Sequence, residues 1–363
     1  MKDSIQDQMT TAATMLAGGW AALPATGDVL VIGGEAALPR TIRAMRPQAR
    51  VVWIATDVRE VSLQDDADID CRQELFSPLG DNERFEAVLL PGCPDRALTR
   101  RWLLLGQRAL APNGVLLLAG ANGEGIRALI ADAAALFGPA VREDYRQKHR
   151  IARFIRDDAT TGHPAWAVSP GIAPATWQTV TIPMRGESLS LATLPGVFSG
   201  DRLDAGTALL LGHLGEAVAP GARVLDVGCG AGAIGFAALA LGAGHVDMSD
   251  VNLLAVASVR ETIREQGIAD ARALAGDVYD AVGSERYDLI VSNPPFHQGK
   301  TIDYDMPERL IGEAAAHLRP GGSLLIVANA FLAYERLMNR HFHDVQTIAS
   351  TRQYRVLRAS RPR

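Results

Sequence analysis

Val224-Leu225-Asp226-Val227-Gly228-Cys229-Gly230-Ala231-Gly232 passes from a short apolar strand through a glycine-rich turn into a helix-like stretch over Ala233–Leu241. Glycines let such a turn close tightly and let a ligand approach the backbone, while the helix N-terminus favours an anionic group. Outward from this stretch the strand candidates are Arg223–Val227, His245–Ser249, Ala271–Ala275, Tyr287–Ser292 and Ser323–Ala328. Leu253–Gln266 and Glu308–Leu318 have helical character between them. Apolar strands alternating with helices predict a mainly parallel α/β sheet covered on both faces.

The pattern occurs twice. Val29-Leu30-Val31-Ile32-Gly33 matches Val224–Gly228 at an offset of 195 residues, Arg84–Leu90 matches Arg286–Ser292 at 202, and Leu110–Leu118 matches Leu318–Ile326 at 208. The order is kept and the offset drifts slowly, as small loop insertions would make it. The expected architecture is two tandem doubly wound Rossmann-like α/β domains from an internal duplication, the first degenerate. The expected boundaries are a first domain over 1–160, a proline-rich linker over 161–180 and a second domain over 181–363.

The 363 residues, 48% of them hydrophobic, exclude a disordered or fibrous chain and suffice for two cores. Cys71, Cys93 and Cys229 are too scattered for a disulfide framework or a zinc site, and the eight histidines pair with no carboxylates at ligand spacing. No metal is expected. Neither a membrane span nor a signal-peptide core is visible, so the expected setting is cytoplasmic. A net charge of −5 argues against a general nucleic-acid binder. Two stretches run against it: Arg146–Arg156 and Arg352–Arg363 each carry five basic residues and no acid. Each is open to two readings, a local docking surface or solvated strand ends.

Gly230-Ala231-Gly232-Ala233-Ile234-Gly235 satisfies the dinucleotide pattern G-x-G-x-x-G. Asp226 opposes that reading, because a carboxylate at the strand end suits an ammonium and repels a pyrophosphate. Asp226-x-Gly228-x-Gly230-x-Gly232 resembles instead the signature of S-adenosylmethionine (SAM) dependent methyltransferases. Asp250, 22 residues after Gly228, suits the ribose hydroxyls; alone it would equally suit a helix cap. Asp277 follows the third strand, and by resemblance to that fold family it takes the adenine amino group. The cofactor contacts expected are Asp226, Gly228, Cys229, Gly230, Gly232, Asp250, Val251, Asp277, Val278 and Asn293.

Asn293-Pro294-Pro295-Phe296 follows the strand Tyr287–Ser292 and resembles the Asn-Pro-Pro-aromatic signature of enzymes that methylate exocyclic amino or amide nitrogens. Such a nitrogen is planar and a poor nucleophile, because its lone pair is delocalised. The Asn293 side-chain oxygen and the Pro294 carbonyl each suit one of its N–H groups, the prolines hold those acceptors rigid, and Phe296 suits stacking on the ring. Asn293, Pro294, Pro295 and Phe296 are therefore the expected catalytic set. No base is required, and His297 is assigned no role. In the first copy Asp226 corresponds to Val31, Gly230 to Glu35 and Asn293 to Pro91. That copy is expected to bind no SAM and to dock substrate or support the fold.

Leu194–Ser199, Asp226–Gly232, Asn293–His297, Val327–Leu332 and Arg352–Ala359 together resemble the RsmC type of bacterial 16S ribosomal RNA guanine-N2 methyltransferase. The likeness is strong from about Thr193 onward; before residue 160 only the duplicated design is shared. It implies SAM-dependent methylation of the exocyclic N2 of a guanine in 16S rRNA by in-line transfer to a flipped-out base. The implied partner is the 30S subunit or an assembly intermediate; the duplicated chain, with its second domain supplied in cis, is expected to act as a monomer. Leu194–Thr207, with Phe198, Asp204 and Thr207, would lie beside the methionine end of SAM. The alternatives are a 23S rRNA guanine-N2 methyltransferase, a protein-glutamine N5-methyltransferase and a non-catalytic ribosome-assembly factor.

Overall fold

The computed structural model describes residues 9–23, 27–62, 67–73, 79–157, 163–184, 188–295 and 305–363, which fall into two compact units. The first comprises the chain to Trp177 with Leu194–Gly196; the second comprises Gln178–Thr193 and Val197–Arg363.

The first unit runs α1 (Thr11–Ala21), β1 (Val29–Ile32), α2 (Ala37–Met45), β2 (Val51–Ala55), α3 (Val58–Ser62) and β3 (Ile69–Gln73). It continues with β4 (Phe85–Pro91), α4 (Arg96–Ala109), β5 (Leu110–Ala121), α5 (Ile126–Phe137), β6 (Arg142–Arg146) and β7 (His149–Ile155). Every side chain of β1 and β2 is buried, as a sheet covered on both faces requires. The strand order is β3-β2-β1-β4-β5-β7-β6.

The second unit opens with the antiparallel pair β8 (Gln178–Pro183) and β9 (Ser188–Thr193), then α6 (Ala205–Leu214). It proceeds through β10 (Arg223–Val227), α7 (Ala233–Ala240), β11 (His245–Asp250), α8 (Leu253–Gln266) and β12 (Ala271–Ala275). β13 (Tyr287–Ser292), α9 (Asp305–His317), β14 (Leu318–Asn329), α10 (Tyr334–His341), β15 (Phe342–Ser350) and β16 (Tyr354–Pro362) complete it. The order β12-β11-β10-β13-β14-β16-β15 repeats that of the first sheet place for place.

The register repeats as well. Val29 pairs with Val51 and Ala87, and Ala87 with Val115; Val224 pairs with Val246 and Leu289, and Leu289 with Ser323. Both sheets also break register at the same place, between Phe85 and Ala87 and between Tyr287 and Leu289. The three sequence offsets are thus offsets between residues in the same positions of two sheets.

Some boundaries differ from the sequence reading. β14 starts at Leu318 rather than Ser323, because Leu318 pairs with Tyr287 ahead of the register break. β11 extends to Asp250, α7 ends at Ala240 and α9 spans Asp305–His317. Residues 163–177, expected as linker, pack on α4: Arg101 donates to the Gly171 carbonyl at 3.0 Å and Arg100 lies over the Trp166 ring. The remainder of that linker, 158–162, lies outside the described residues.

The basic stretches are strands. Arg146–Arg156 covers the turn after β6 and β7 itself, and the later stretch forms β16, flanked by β14 and β15. Several of the cations are engaged locally: Arg150 with Asn122, Arg156 with the Leu110 carbonyl, Arg358 with Ser323 and Arg361 with Asp344. Arg146, Lys148 and Arg352 stand exposed at the turns.

Asp247 of β11 is buried, and its carboxylate accepts from Arg272 at 2.6 and 2.9 Å and from the Tyr287 hydroxyl at 2.9 Å. Burial pushes its pKa up, but Arg272, Tyr287 and His245 together hold it below the usual carboxylate range. No helix among the described residues is long and apolar enough to cross a membrane.

Candidate active site

Chain order in the second sheet reverses between β10 and β13, which lie side by side. Crossovers that leave in opposite directions open a crevice at the carboxyl ends of the two strands, where ligands of such sheets bind. β10 ends in Asp226-Val227 and the glycine turn; β13 ends in Ser292 and Asn293.

Asp226 is completely buried. One carboxylate oxygen accepts the Gly235 N–H at 2.9 Å, and the other, also buried, has no partner among the described residues. Burial, only partly offset by the Gly235 N–H and reinforced by the charge of Asp250, pushes its pKa up to about 7.

The turn is laced to β11. Gly228 and Cys229 donate N–H groups to the Ser249 carbonyl at 2.8 and 3.0 Å. Asp250 accepts the Gly230 N–H at 2.9 Å and the Asn252 N–H at 2.8 Å, so its carboxylate shapes the turn as well as standing at the strand end. Gly230 has φ +54°, and a Cβ there would sit 3.1 Å from the Phe198 carbonyl oxygen. Gly235, the last glycine of the G-x-G-x-x-G run, meets a different demand: a Cβ would lie 2.5 Å from the Met248 sulfur, so it lets α7 approach β11. Burial raises the Cys229 thiol well above its ordinary pKa, which suits a lining residue and not a nucleophile.

Asn293 is the best-defined side chain of the site. Its amide nitrogen donates to Asp204 Oδ2 at 3.0 Å and to Thr207 Oγ1 at 2.9 Å. Its oxygen is buried and has no partner among the described residues. Asp204 also caps α6, accepting the Thr207 N–H at 2.9 Å. Pro294 is buried and Pro295 exposed; Phe296 and His297 lie outside the described residues.

The structure brings Gly228, Cys229 and Asn293 to one cavity, whose walls include Phe198, Thr207 and Ile234. Asp277 and Val278 follow β12, two strands from β10. Asp277 pairs with Arg309 at 2.7 Å, so its carboxylate is already engaged by a guanidinium. Val278 is buried with φ +55°, a costly conformation for a β-branched residue. Sequence reasoning missed the coupling of Asp204 and Thr207 to Asn293, for which the only signal was the Asp-x-x-Thr cap at the start of α6. It also missed Arg309.

In the first unit the place of Asp250 is taken by Ala55, beside Val31, Glu35 and Pro91 in the places already noted. Two tryptophans fill the turn: Trp53 donates to the Gly33 carbonyl at 3.0 Å, and a Cβ on Gly33 would lie 2.8 Å from Trp102. Glu35 turns to the Thr10 N–H, 3.3 Å away. No cluster of His, Cys, Asp or Glu among the described residues is arranged to hold a metal.

Residues 188–358 match the family model described as the methyltransferase small domain. The chain is similar to ribosomal RNA small subunit methyltransferase C of Pseudomonas aeruginosa strain LESB58, with 38% identity over 261 residues, 72% of this chain and 75% of the relative. The same-named protein of Chromohalobacter salexigens is 46% identical over 177 residues, 48% of this chain and 52% of that one. Among solved structures, the Thermus thermophilus 16S rRNA N2 G1207 methyltransferase (RsmC) in complex with AdoMet and guanosine matches with a TM-score of 0.82 and 26% identity. That match covers 98% of this chain and 92% of that one.

Proposed function

Since the chain belongs to the ribosomal RNA small subunit methyltransferase C family, we propose that it transfers a methyl group from SAM to the exocyclic N2 of a guanine in 16S rRNA. The observation that carries this reading is Asn293: both hydrogens of its amide are taken by Asp204 and Thr207, while its oxygen is buried and unmatched among the described residues. A buried acceptor without a donor costs about 1–3 kcal/mol, so the site is built for a ligand that brings an N–H.

SAM fits the residues present. A buried carboxylate oxygen of Asp226 with no partner suits an ammonium. Asp226, Gly228, Cys229, Gly230, Gly232, Asp250, Val251, Asp277 and Val278 would hold it, with Asn293 at the reacting end. Bound SAM supplies an electrophilic methyl on a sulfonium. Asn293 Oδ1 and the Pro294 carbonyl accept the two hydrogens of the guanine amino group, which localises the nitrogen lone pair towards the methyl. The prolines keep these acceptors from turning, so the rate is gained by positioning. No base is needed, because the methylated nitrogen sheds a proton readily as its lone pair returns to the ring.

A guanine in folded RNA has to leave its stack to reach Asn293. Phe198 and Phe331, 60% and 66% exposed, offer faces on which bases stack, and Phe296 continues the motif itself. The first unit is a degenerate duplicate of the second that binds no SAM and serves docking or support. The enzyme works in the cytoplasm as a monomer on the 30S subunit or an assembly intermediate.

The test is transfer from methyl-tritiated SAM to separated 30S subunits, 50S subunits, deproteinised RNA and a release factor, followed by nucleoside analysis. Label recovered as N2-methylguanosine from 30S material is the expected result. Label in 50S RNA or in protein would overturn the substrate assignment. No label anywhere, with SAM binding intact, would overturn the enzymatic one.

A further inference from the structure

An asparagine carboxamide has two nearly isosteric ends, and only one of them accepts a hydrogen bond. If Asn293 turned over, its NH2 would face the target amino group and repel it. The protein therefore has to specify the flip as well as the position. Nδ2 donates to Asp204 and to Thr207, so both of its hydrogens are engaged. The reversed amide would set its oxygen against the Asp204 carboxylate. Asp204 is itself held by the Thr207 N–H at the first turn of α6, so the lock is anchored to a helix rather than to a loop side chain.

We infer that Asp204 and Thr207 are positioning residues that hold the Asn293 carboxamide with Oδ1 towards the acceptor nitrogen, a role resting on the methyltransferase reading above. A carboxylate on the N–H end also polarises the amide and strengthens Oδ1 as an acceptor. The first unit supplies an internal comparison. Its α1 holds the same place before the first sheet strand, with Thr10 as cap and the Ala13 N–H as donor, and Pro91 ends β4. There Asp, Thr and Asn are replaced by Thr10, Ala13 and Pro91, so none of the three residues of the lock is kept.

The experiment uses the full-length chain with 30S subunits. Thr207→Val removes the hydroxyl acceptor at nearly constant volume, and Thr207→Ser restores it. Asp204→Asn keeps a capping oxygen and removes the charge; Asp204→Ala removes both. We expect kcat to fall about 10-fold or more in Thr207→Val and Asp204→Ala, the loss of one charge-assisted or buried hydrogen bond, with Asp204→Asn intermediate and Thr207→Ser within about 2-fold of the unaltered enzyme. Calorimetric affinity for S-adenosylhomocysteine stays within about 3-fold throughout, on the same scale of hydrogen-bond energies. Asp204→Ala combined with Asn293→Ala is no slower than Asn293→Ala alone, because the lock acts only through Asn293. In spectra of protein labelled with 15N-asparagine, the Asn293 side-chain N–H resonances are protected from exchange and lose that protection in Thr207→Val.

If Asn293→Ala abolishes transfer while Thr207→Val and Asp204→Ala turn over normally, the lock is refuted and the methyltransferase reading stands. If Asn293→Ala itself turns over normally, the reading fails and the lock with it. A loss of S-adenosylhomocysteine affinity in Thr207→Val matching its loss of rate would make Thr207 a cofactor contact and overturn the positioning role.

Discussion

Asp226 accepts the Gly235 N–H at 2.9 Å through one oxygen, while its second oxygen is buried with no donor among the described residues. Its folded pKa of about 7 lies above the ordinary aspartate value near 3.8, so between these pH values the folded protein keeps a proton the unfolded chain has lost. Stability therefore falls as pH rises through that window and levels off above it, by up to about 4 kcal/mol for roughly three pKa units. Urea unfolding of the SAM-free enzyme at pH 5 and pH 8 should show this decline. Asp226→Asn should flatten the profile, and an undiminished slope in that variant would assign the effect elsewhere.

The same carboxylate links protons to ligand binding. An ammonium beside it favours the ionised form, so S-adenosylhomocysteine, which carries the same amino group, should bind more tightly as pH rises from 5 to 7. Calorimetry at pH 6 in buffers of different ionisation enthalpy should show net proton release, and Asp226→Asn should abolish it. Release unchanged in that variant would remove Asp226 from the ammonium site.

Gly230→Ala should cost about 5- to 30-fold in S-adenosylhomocysteine affinity, from roughly 1–2 kcal/mol of left-handed backbone strain and crowding against the Phe198 carbonyl. Gly212, in α6 with open space around its Cβ position, is the control. Gly212→Ala should bind normally and gain about 0.5–1 kcal/mol of stability. Equal affinity in both variants would mean the turn is not a cofactor cradle.

Asp250 shapes the turn through the Gly230 and Asn252 amides, so its variants should separate two effects. Asp250→Ala should lose stability by about 1–3 kcal/mol as well as affinity, since two backbone donors lose an acceptor. Asp250→Asn, which retains one acceptor, should lose affinity with a smaller loss of stability. Thermal melts and calorimetry on both variants decide it; identical behaviour of the two would show that charge and geometry are not separable here.

One SAM should bind per chain. Glu35→Gly should not create a second site, because Trp53 and Trp102 close around Gly33 and both Val31 and Ala55 lack a carboxylate. A calorimetric stoichiometry near two, in either protein, would contradict the degenerate role proposed for the first unit.

Local chemistry made much of this legible in the chain. Arg223–Val227, Ala271–Ala275 and Tyr287–Ser292 are strands at the boundaries their apolar runs suggest, and Asp226, Asp250 and Asn293 stand at strand ends, as turn-adjacent polar residues should. What was hidden depends on residues distant in sequence. Asn293 meets a carboxylate 89 positions earlier, Asp277 meets a guanidinium 32 positions later, and β14 starts early because of a pairing with Tyr287. No periodicity encodes such contacts. The packing of 163–177 on α4 was masked by its prolines, which suggest a free linker whether or not a surface receives them.

Two sheets of the same strand order, with matching register across their parallel strands, also pose a sorting problem while the chain folds. Side chains remove the ambiguity. Asp247 and Tyr287 of the second sheet occupy the places that Val52 and Phe85 hold in the first. Were β11 to settle beside β1, Asp247 would be buried without its arginine and its phenol, a mismatch of about 3–5 kcal/mol. That polar pair thus disfavours β11 beside β1 and sets the two sheets apart by side-chain chemistry where their strand order does not.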